Sequence, residues 1–154
     1  PSPNLPNMKA VYLYPSICLF EGTPVSLGRG TDMPFQVYGH PAMKGYDFSF
    51  TPRSKAGAKN PPQQDKLCHG VDLRNLSNEA IWAKGLDLTY VIDAYRNLKM
   101  GDKFFTSFFN LLIGTDKVKK MIIEGKSAED IRATWQEDVA KFKEQRKPYL
   151  LYND

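Results

Sequence analysis

Glu21 and Arg29 stand eight residues apart in a stretch, residues 19–35, that also carries Thr23, Ser26 and Thr31 among the glycines Gly22, Gly28 and Gly30. Pro24 and Pro34 and the glycines break this segment too often for regular structure. Glycine lets the backbone approach a ligand closely and exposes its N–H groups. An arginine between two glycines, as Arg29 is, has little cover from its sequence neighbours, and its planar fork suits a carboxylate or a phosphate. The chemistry this inventory fits is grip on a small anion, with Glu21 accepting hydroxyl groups or carrying a proton. A structural alternative stays open, in which Glu21 and Arg29 pair with each other and pin the loop.

The glycines invite comparison with a phosphate-binding loop, and the detail fails. That loop needs a Lys after its last glycine and a helix behind it, whereas Gly28-Arg29-Gly30-Thr31 is followed by Asp32 and Pro34. Cys68 and His69 are adjacent on an expected strand, so they face opposite ways and cannot act as thiolate and base. With His40 and Cys18 they match no zinc spacing. Whether Cys18 and Cys68 pair is open. Arg53 and Lys55 begin a polar excursion and could reach over a cleft, although a solvated loop is the more frequent outcome for such residues. Tyr12 and Tyr14 are stacking candidates beside the Gly-rich loop, with core packing as the default; Trp135 belongs to a core stripe. Lys117, Lys119, Lys120 and Lys126 read as the wet face of a helix.

The elements that must carry these residues divide the chain in two. Ten of the eleven prolines lie within residues 1–62, which predicts short strands and tight turns there. Strands are expected over 9–14, ended by Pro15, over 35–38, over 47–51 and over 67–73, with one helical turn over 17–20. Residues 53–66 are polar and without pattern, the mark of a functional or mobile loop.

The second half is helical. Leu88, Val91, Ile92, Tyr95 and Leu98 keep a helix period, with Gly101 as its stop. Residues 104–113 are apolar nearly all round and predict a buried helix. Thr115 can cap a short helix closed by Gly125, and Ser127 with Asp130 forms a capping box. Ile131, Trp135, Val139 and Phe142 predict one stripe down a last long helix, and Tyr149–Tyr152 a final strand after Pro148. The fold class is α+β: a small mixed sheet, including that C-terminal strand, packed against several helices.

At 154 residues the chain suffices for a single domain with a real core, residues 1–154. The formal net charge is +4, and the first half is acid-poor, which suits a small anionic ligand. A nucleic-acid partner is not expected, because that surface needs repeated Lys and Arg in a stripe. No apolar run reaches the ~20 residues of a membrane span.

Several motifs taken in order carry a resemblance. They are Pro-Ser-Pro-Asn-Leu-Pro (1–6), Tyr-Pro-x-x-Cys-Leu-Phe-Glu-Gly-Thr (14–23), Gly-Arg-Gly-Thr-x-x-Pro-Phe (28–35), Phe-Thr-Pro-x-x-Ser-Lys (50–55), Cys-x-Gly-Val (68–71), Trp-Gln (135–136) and Arg-x-Pro-Tyr-Leu-Leu-Tyr (146–152). Together they resemble the C-terminal half of the YbbC/NamZ-like bacterial proteins, long a domain of unknown function and associated with exo-β-N-acetylmuramidase activity on peptidoglycan fragments. The resemblance implies a Rossmann-like N-terminal domain that carries the main catalytic acid, and a C-terminal domain, this one, that closes the cleft. No catalytic residue, cofactor or metal is then expected here. The partners implied are that N-terminal domain and glycan fragments containing N-acetylmuramic acid, and the location implied is outside the cytoplasm. Arg29 would hold the lactyl carboxylate. Asn4, Glu21, Thr23, Thr31 and Lys55 would address the rest of the sugar. The alternative is a non-catalytic module that binds an acidic sugar or wall fragment.

Overall fold

The computed structural model describes residues 2–152. Its first element is a helix, α1 (Met8–Ile17), where a strand is expected. Asn7 starts it: its side chain accepts from the Ala10 N–H at 2.9 Å. Ala10, Leu13 and Ile17 form its buried face at helical spacing. The strand expectation rests on a short apolar run, and periodicity cannot separate helix from strand in such a run. Pro15 does not end the element; it sits in the last turns of the helix. The chain then tightens into a 3₁₀ turn over Cys18–Gly22, where a helical turn is expected.

Three short strands follow: β1 (Val37–His40), β2 (Phe48–Phe50) and β3 (Cys68–Asp72). They lie in the order β1-β3-β2, and both outer strands run antiparallel to β3. The sheet is thus antiparallel throughout rather than mixed. Tyr149–Tyr152 adds no strand to it: Lys147–Tyr149 is a 3₁₀ turn and residues 150–152 run on exposed. A single bridge joins Ser26 of the Gly-rich loop to Gly39 of β1, and two further isolated bridges, Ser2 to Leu5 and Lys55 to Ala58, lie outside the sheet.

The helices of the second half are α2 (Asn78–Lys84), α3 (Thr89–Leu98), α4 (Ser107–Ile113), α5 (Lys117–Ile123), α6 (Ala128–Ala133) and α7 (Gln136–Arg146). α3 stops at Lys99, which takes the left-handed conformation two residues before the expected Gly101. Thr115 accepts from the Lys117 N–H at 3.2 Å, and the Ser127–Asp130 capping box is formed. The buried helix expected over 104–113 is shorter. Phe104 and Phe109 are core, while Phe108 and Leu111 face out. The expected long last helix is broken at Trp135. Ile131 and Trp135 pack on the core, and Val139 and Phe142 do not.

The core joins both halves. Leu13, Ile17, Phe20 and Leu27 meet Val91, Phe104, Phe109 and Ile131, and the Phe20 ring stacks on Tyr38 at 4.9 Å. Gly22 allows α4 to lie directly on the 3₁₀ turn, because a Cβ there would come within 2.5 Å of the Phe109 Cα. This is the packing that fixes the start of the Gly-rich loop. Farther along, Asp93 of α3 accepts from the hydroxyls of Tyr38 (2.8 Å) and Tyr46 (2.7 Å), which ties the sheet to the helical layer.

Candidate functional site

The Gly-rich loop is held from inside by its own small polar side chains. Thr23 donates to the Phe20 carbonyl (2.9 Å) and accepts from the Val25 N–H (3.2 Å). Thr31 donates to the Gly28 carbonyl (2.6 Å) and accepts from the Met33 N–H (2.9 Å). Ser26 exchanges backbone hydrogen bonds with Gly39 of β1 at 2.8 and 2.9 Å. Hydroxyl groups paired with nearby backbone in this way shape a turn rather than greet a ligand. Thr23 is also buried. Gly30 takes φ +82°, and a Cβ on it would fall 2.5 Å from the Arg53 carbonyl, so the loop can rest on residues 53–61 only with glycine there.

Arg29 and Glu21 do meet. The Arg29 Nη1 lies 3.1 Å from the Glu21 Oε1, and the two side chains are 33% and 25% exposed. Arg29 Nη2 also donates to the Gly57 carbonyl, at 3.5 Å. The pair joins the two ends of the loop, and the guanidinium also lines an open hollow of about 610 Å³. Glu21, Arg29, Lys59, Asn60 and Phe108 all line that hollow. Two cations against one carboxylate leave it positive. Guanidinium has five donors, so pairing with Glu21 and Gly57 leaves spare ones.

Asn4 and Lys55 lie next door. Asn4 donates to the same Gly57 carbonyl at 3.2 Å, and Lys55 pairs with Asp32. Asn4, Thr31 and Lys55 line a smaller hollow of about 180 Å³, reached past Gly30. The six expected residues thus divide: Glu21 and Arg29 at the larger hollow, Asn4, Thr31 and Lys55 at the smaller, Thr23 inside the loop. Arg53 pairs with Asp65 at 3.1 Å.

Sequence reasoning passed over Lys59, Asn60 and Phe108. The first two lie in the polar excursion over 53–66, whose pattern marks a functional or mobile loop. Phe108 carries no signal, because an apolar run does not tell which ring faces out. Tyr14 belongs to this neighbourhood too. Burial raises its pKa, Cys18 and Glu21 raise it further, and Arg29 works against them. As a helical residue it packs its ring on Phe35, with centroids 5.0 Å apart. Tyr12 is placed elsewhere, edge-on to Trp82 at 5.6 Å.

Both cysteines are free thiols. Burial, then the Glu21 charge, pushes the Cys18 thiol up to about 11, and burial pushes Cys68 up to about 11. Such thiols are protonated at neutral pH and make poor nucleophiles. His69 sits opposite His40 across β1 and β3. Among the described residues no group of three or more His, Cys, Asp or Glu is placed to hold a metal ion, and no helix is long and apolar enough to cross a membrane.

An α+β domain with this arrangement occurs in a crystallised DUF1343 family protein from Bacteroides fragilis NCTC 9343. The two agree with a TM-score of 0.98 and 73% identity over 100% of this chain and 44% of that one. A second DUF1343 family protein from the same organism shares the fold at a TM-score of 0.71 and 17% identity, over 99% of this chain and 44% of its own. Residues 12–152 match the family described as exo-beta-N-acetylmuramidase NamZ, C-terminal, and this chain belongs to that family. It is 33% identical, over 165 aligned residues, to the peptidoglycan beta-N-acetylmuramidase NamZ of Bacillus subtilis (strain 168). That alignment covers 99% of this chain and 40% of the Bacillus protein, so the chain spans less than half the length of these relatives.

Proposed function

We propose that this domain is the cleft-closing C-terminal part of a peptidoglycan exo-β-N-acetylmuramidase that works outside the cytoplasm in turnover of wall fragments. It supplies substrate grip to a site shared with an upstream domain. The observation that carries this reading is the Arg29 guanidinium, braced by Glu21 and one-third open to a positive hollow, in a domain of the NamZ family. N-acetylmuramic acid differs from N-acetylglucosamine by a lactyl ether that ends in a carboxylate. A braced guanidinium binds such a group through two parallel N–H donors. Bracing reduces the rotamer entropy lost on binding.

Around that anchor, Lys59 adds positive charge, and the Phe108 ring, 46% exposed, offers an apolar face to the sugar ring. Asn4 and Lys55 address the acetamide or hydroxyl groups from the smaller hollow, and Thr23 and Thr31 hold the loop in shape. Hydrolysis of a glycosidic bond needs a general acid and a second carboxylate or an assisting acetamide. The acid comes from the upstream domain, and Glu21 bonds ring hydroxyls or tunes it.

The test compares the full-length protein with its Arg29→Ala variant. Binding of N-acetylmuramic acid and N-acetylglucosamine is measured by calorimetry, and release of muramic acid from a chromogenic glycoside by absorbance. The expected result is loss of the preference for the lactyl sugar, with N-acetylglucosamine binding little changed. An unchanged preference removes the role given to Arg29. A full-length chain that binds the sugar and releases none is the non-catalytic module instead.

A further inference from the structure

α7 is a helix without a core to rest on. None of its eleven residues is buried. Helices of this length are marginal alone in water, and most gain their stability by packing an apolar face. Local interactions support α7: Glu137 is paired with Lys141 at 2.6 Å, and acidic residues stand in its first turn and basic ones in its last. Yet it carries two exposed apolar side chains. Val139 and Phe142 are one turn apart and 42% and 61% exposed. The segment that follows adds Tyr149, Leu150, Leu151 and Tyr152, of which Leu151 is 90% exposed. Single exposed apolar residues are ordinary, but six along one helix and its tail mark an interaction surface.

We infer that α7 and the Tyr149–Tyr152 tail are the surface on which the rest of the full-length enzyme docks. The inference rests on the reading above, that this domain is one part of a longer chain. Length argues for this occupant. The solved relative keeps the same fold over all of this chain at a TM-score of 0.98, while 56% of that relative lies outside the match. α7 therefore keeps its place in a molecule more than twice as long, where a protein surface is available to cover it. The tail, expected as a strand, is then an element whose partner lies outside these 154 residues.

The experiment uses the full-length protein with p-benzoyl-L-phenylalanine in place of Phe142, irradiated and mapped by mass spectrometry. The expected cross-link joins position 142 to a peptide upstream of this domain. A cross-link within the domain, a cross-link to a second copy, or none at all overturns the inference. A second measurement reads hydrogen exchange over residues 137–146 in the unmodified protein and in Phe142→Asp. Protection that falls more than tenfold in the variant, with exchange of α3 and α4 unchanged, supports docking. Free exchange of α7 in the unmodified protein counts against it. If docking fails while Arg29→Ala still abolishes the lactyl preference, only the surface assignment falls.

Discussion

The Arg29 guanidinium and the Asn4 carboxamide share one acceptor, the Gly57 carbonyl, at 3.5 and 3.2 Å. A carbonyl oxygen has two lone pairs and can serve both. Three segments far apart in sequence are thereby joined at one atom: the N-terminal residues, the Gly-rich loop and the polar excursion over 53–66. The two hollows flank this junction, so disturbing one side should be felt on the other. Asn4→Ala is expected to cost about 1 kcal/mol or less in stability. It should raise hydrogen exchange at residues 55–58 and weaken muramic acid binding by less than Arg29→Ala does. Unchanged exchange in the 53–66 segment would show the shared acceptor to be unimportant.

The Glu21–Arg29 pair separates binding from folding. Both side chains are partly open to water, so the ion pair contributes about 0–1 kcal/mol to stability. Arg29→Ala and Glu21→Gln should therefore melt within a few degrees of the parent, by calorimetry. A loss of muramic acid affinity beyond tenfold in Arg29→Ala is then a contact effect and not unfolding. A large drop in Tm would assign the pair to structure instead.

Gly30→Ala should be far more damaging than its size suggests. The residue has φ +82°, and a Cβ would meet the Arg53 carbonyl at 2.5 Å and the Pro61 ring at 2.6 Å. Left-handed strain alone is worth about 1–3 kcal/mol, and displacement of the 53–61 segment adds to it. Chemical denaturation should show at least that loss, together with weaker ligand binding as both hollows deform.

Asp93 is an acceptor for two phenols, so its removal is expected to exceed the removal of either donor. Tyr46→Phe takes away one hydrogen bond to a charged group, about 1.5–3 kcal/mol. Asp93→Ala leaves both hydroxyls without that partner, and one of them, on Tyr38, is in the core. Denaturation midpoints in the order parent, Tyr46→Phe, Asp93→Ala check this.

Asp87 gives the fold an acid limit. Burial works against its charge, but hydrogen bonds from Thr89 and from Lys84 outweigh that, and its pKa is lowered on balance. A carboxyl lowered in the folded state contributes stability that is present above its ordinary value, near 3.9, and is lost as pH falls from there through the folded value. The Asp87→Asn variant should be less stable than the parent at pH 7, and the gap should narrow below about pH 4. A gap constant from pH 7 to pH 2 would rule this linkage out.

Legibility in the sequence follows the range of the forces involved. The Ser127–Asp130 capping box is a set of local hydrogen bonds and forms as read, while Thr115, expected as a cap, accepts from the Lys117 N–H one residue ahead of the cap position that Asp116 takes. The strands over 48–50 and 68–72 fall inside the segments expected, whereas β1, at 37–40, starts two residues later than the expected 35–38 and runs two residues beyond it. In α1 the short apolar run over 10–14 fits either period, and burial of Ala10, Leu13 and Ile17 against distant helices decides for the helix. α2 carried no expectation, although Ser77 caps it by accepting from the Ala80 N–H at 3.1 Å.

The sequence by itself determined the chemistry on offer: an arginine and a glutamate among glycines and hydroxyls, an acid-poor first half, and an α+β composition. Residue types and short-range spacing suffice for that, because side-chain chemistry and capping do not depend on the rest of the chain. Only the tertiary structure decided which groups remain available. It joined Glu21 to Arg29, spent Thr23 and Thr31 on the loop's own backbone, brought Phe108 to the hollow and left α7 bare. Those outcomes depend on where distant segments pack, and a residue's neighbours in sequence do not specify its neighbours in space.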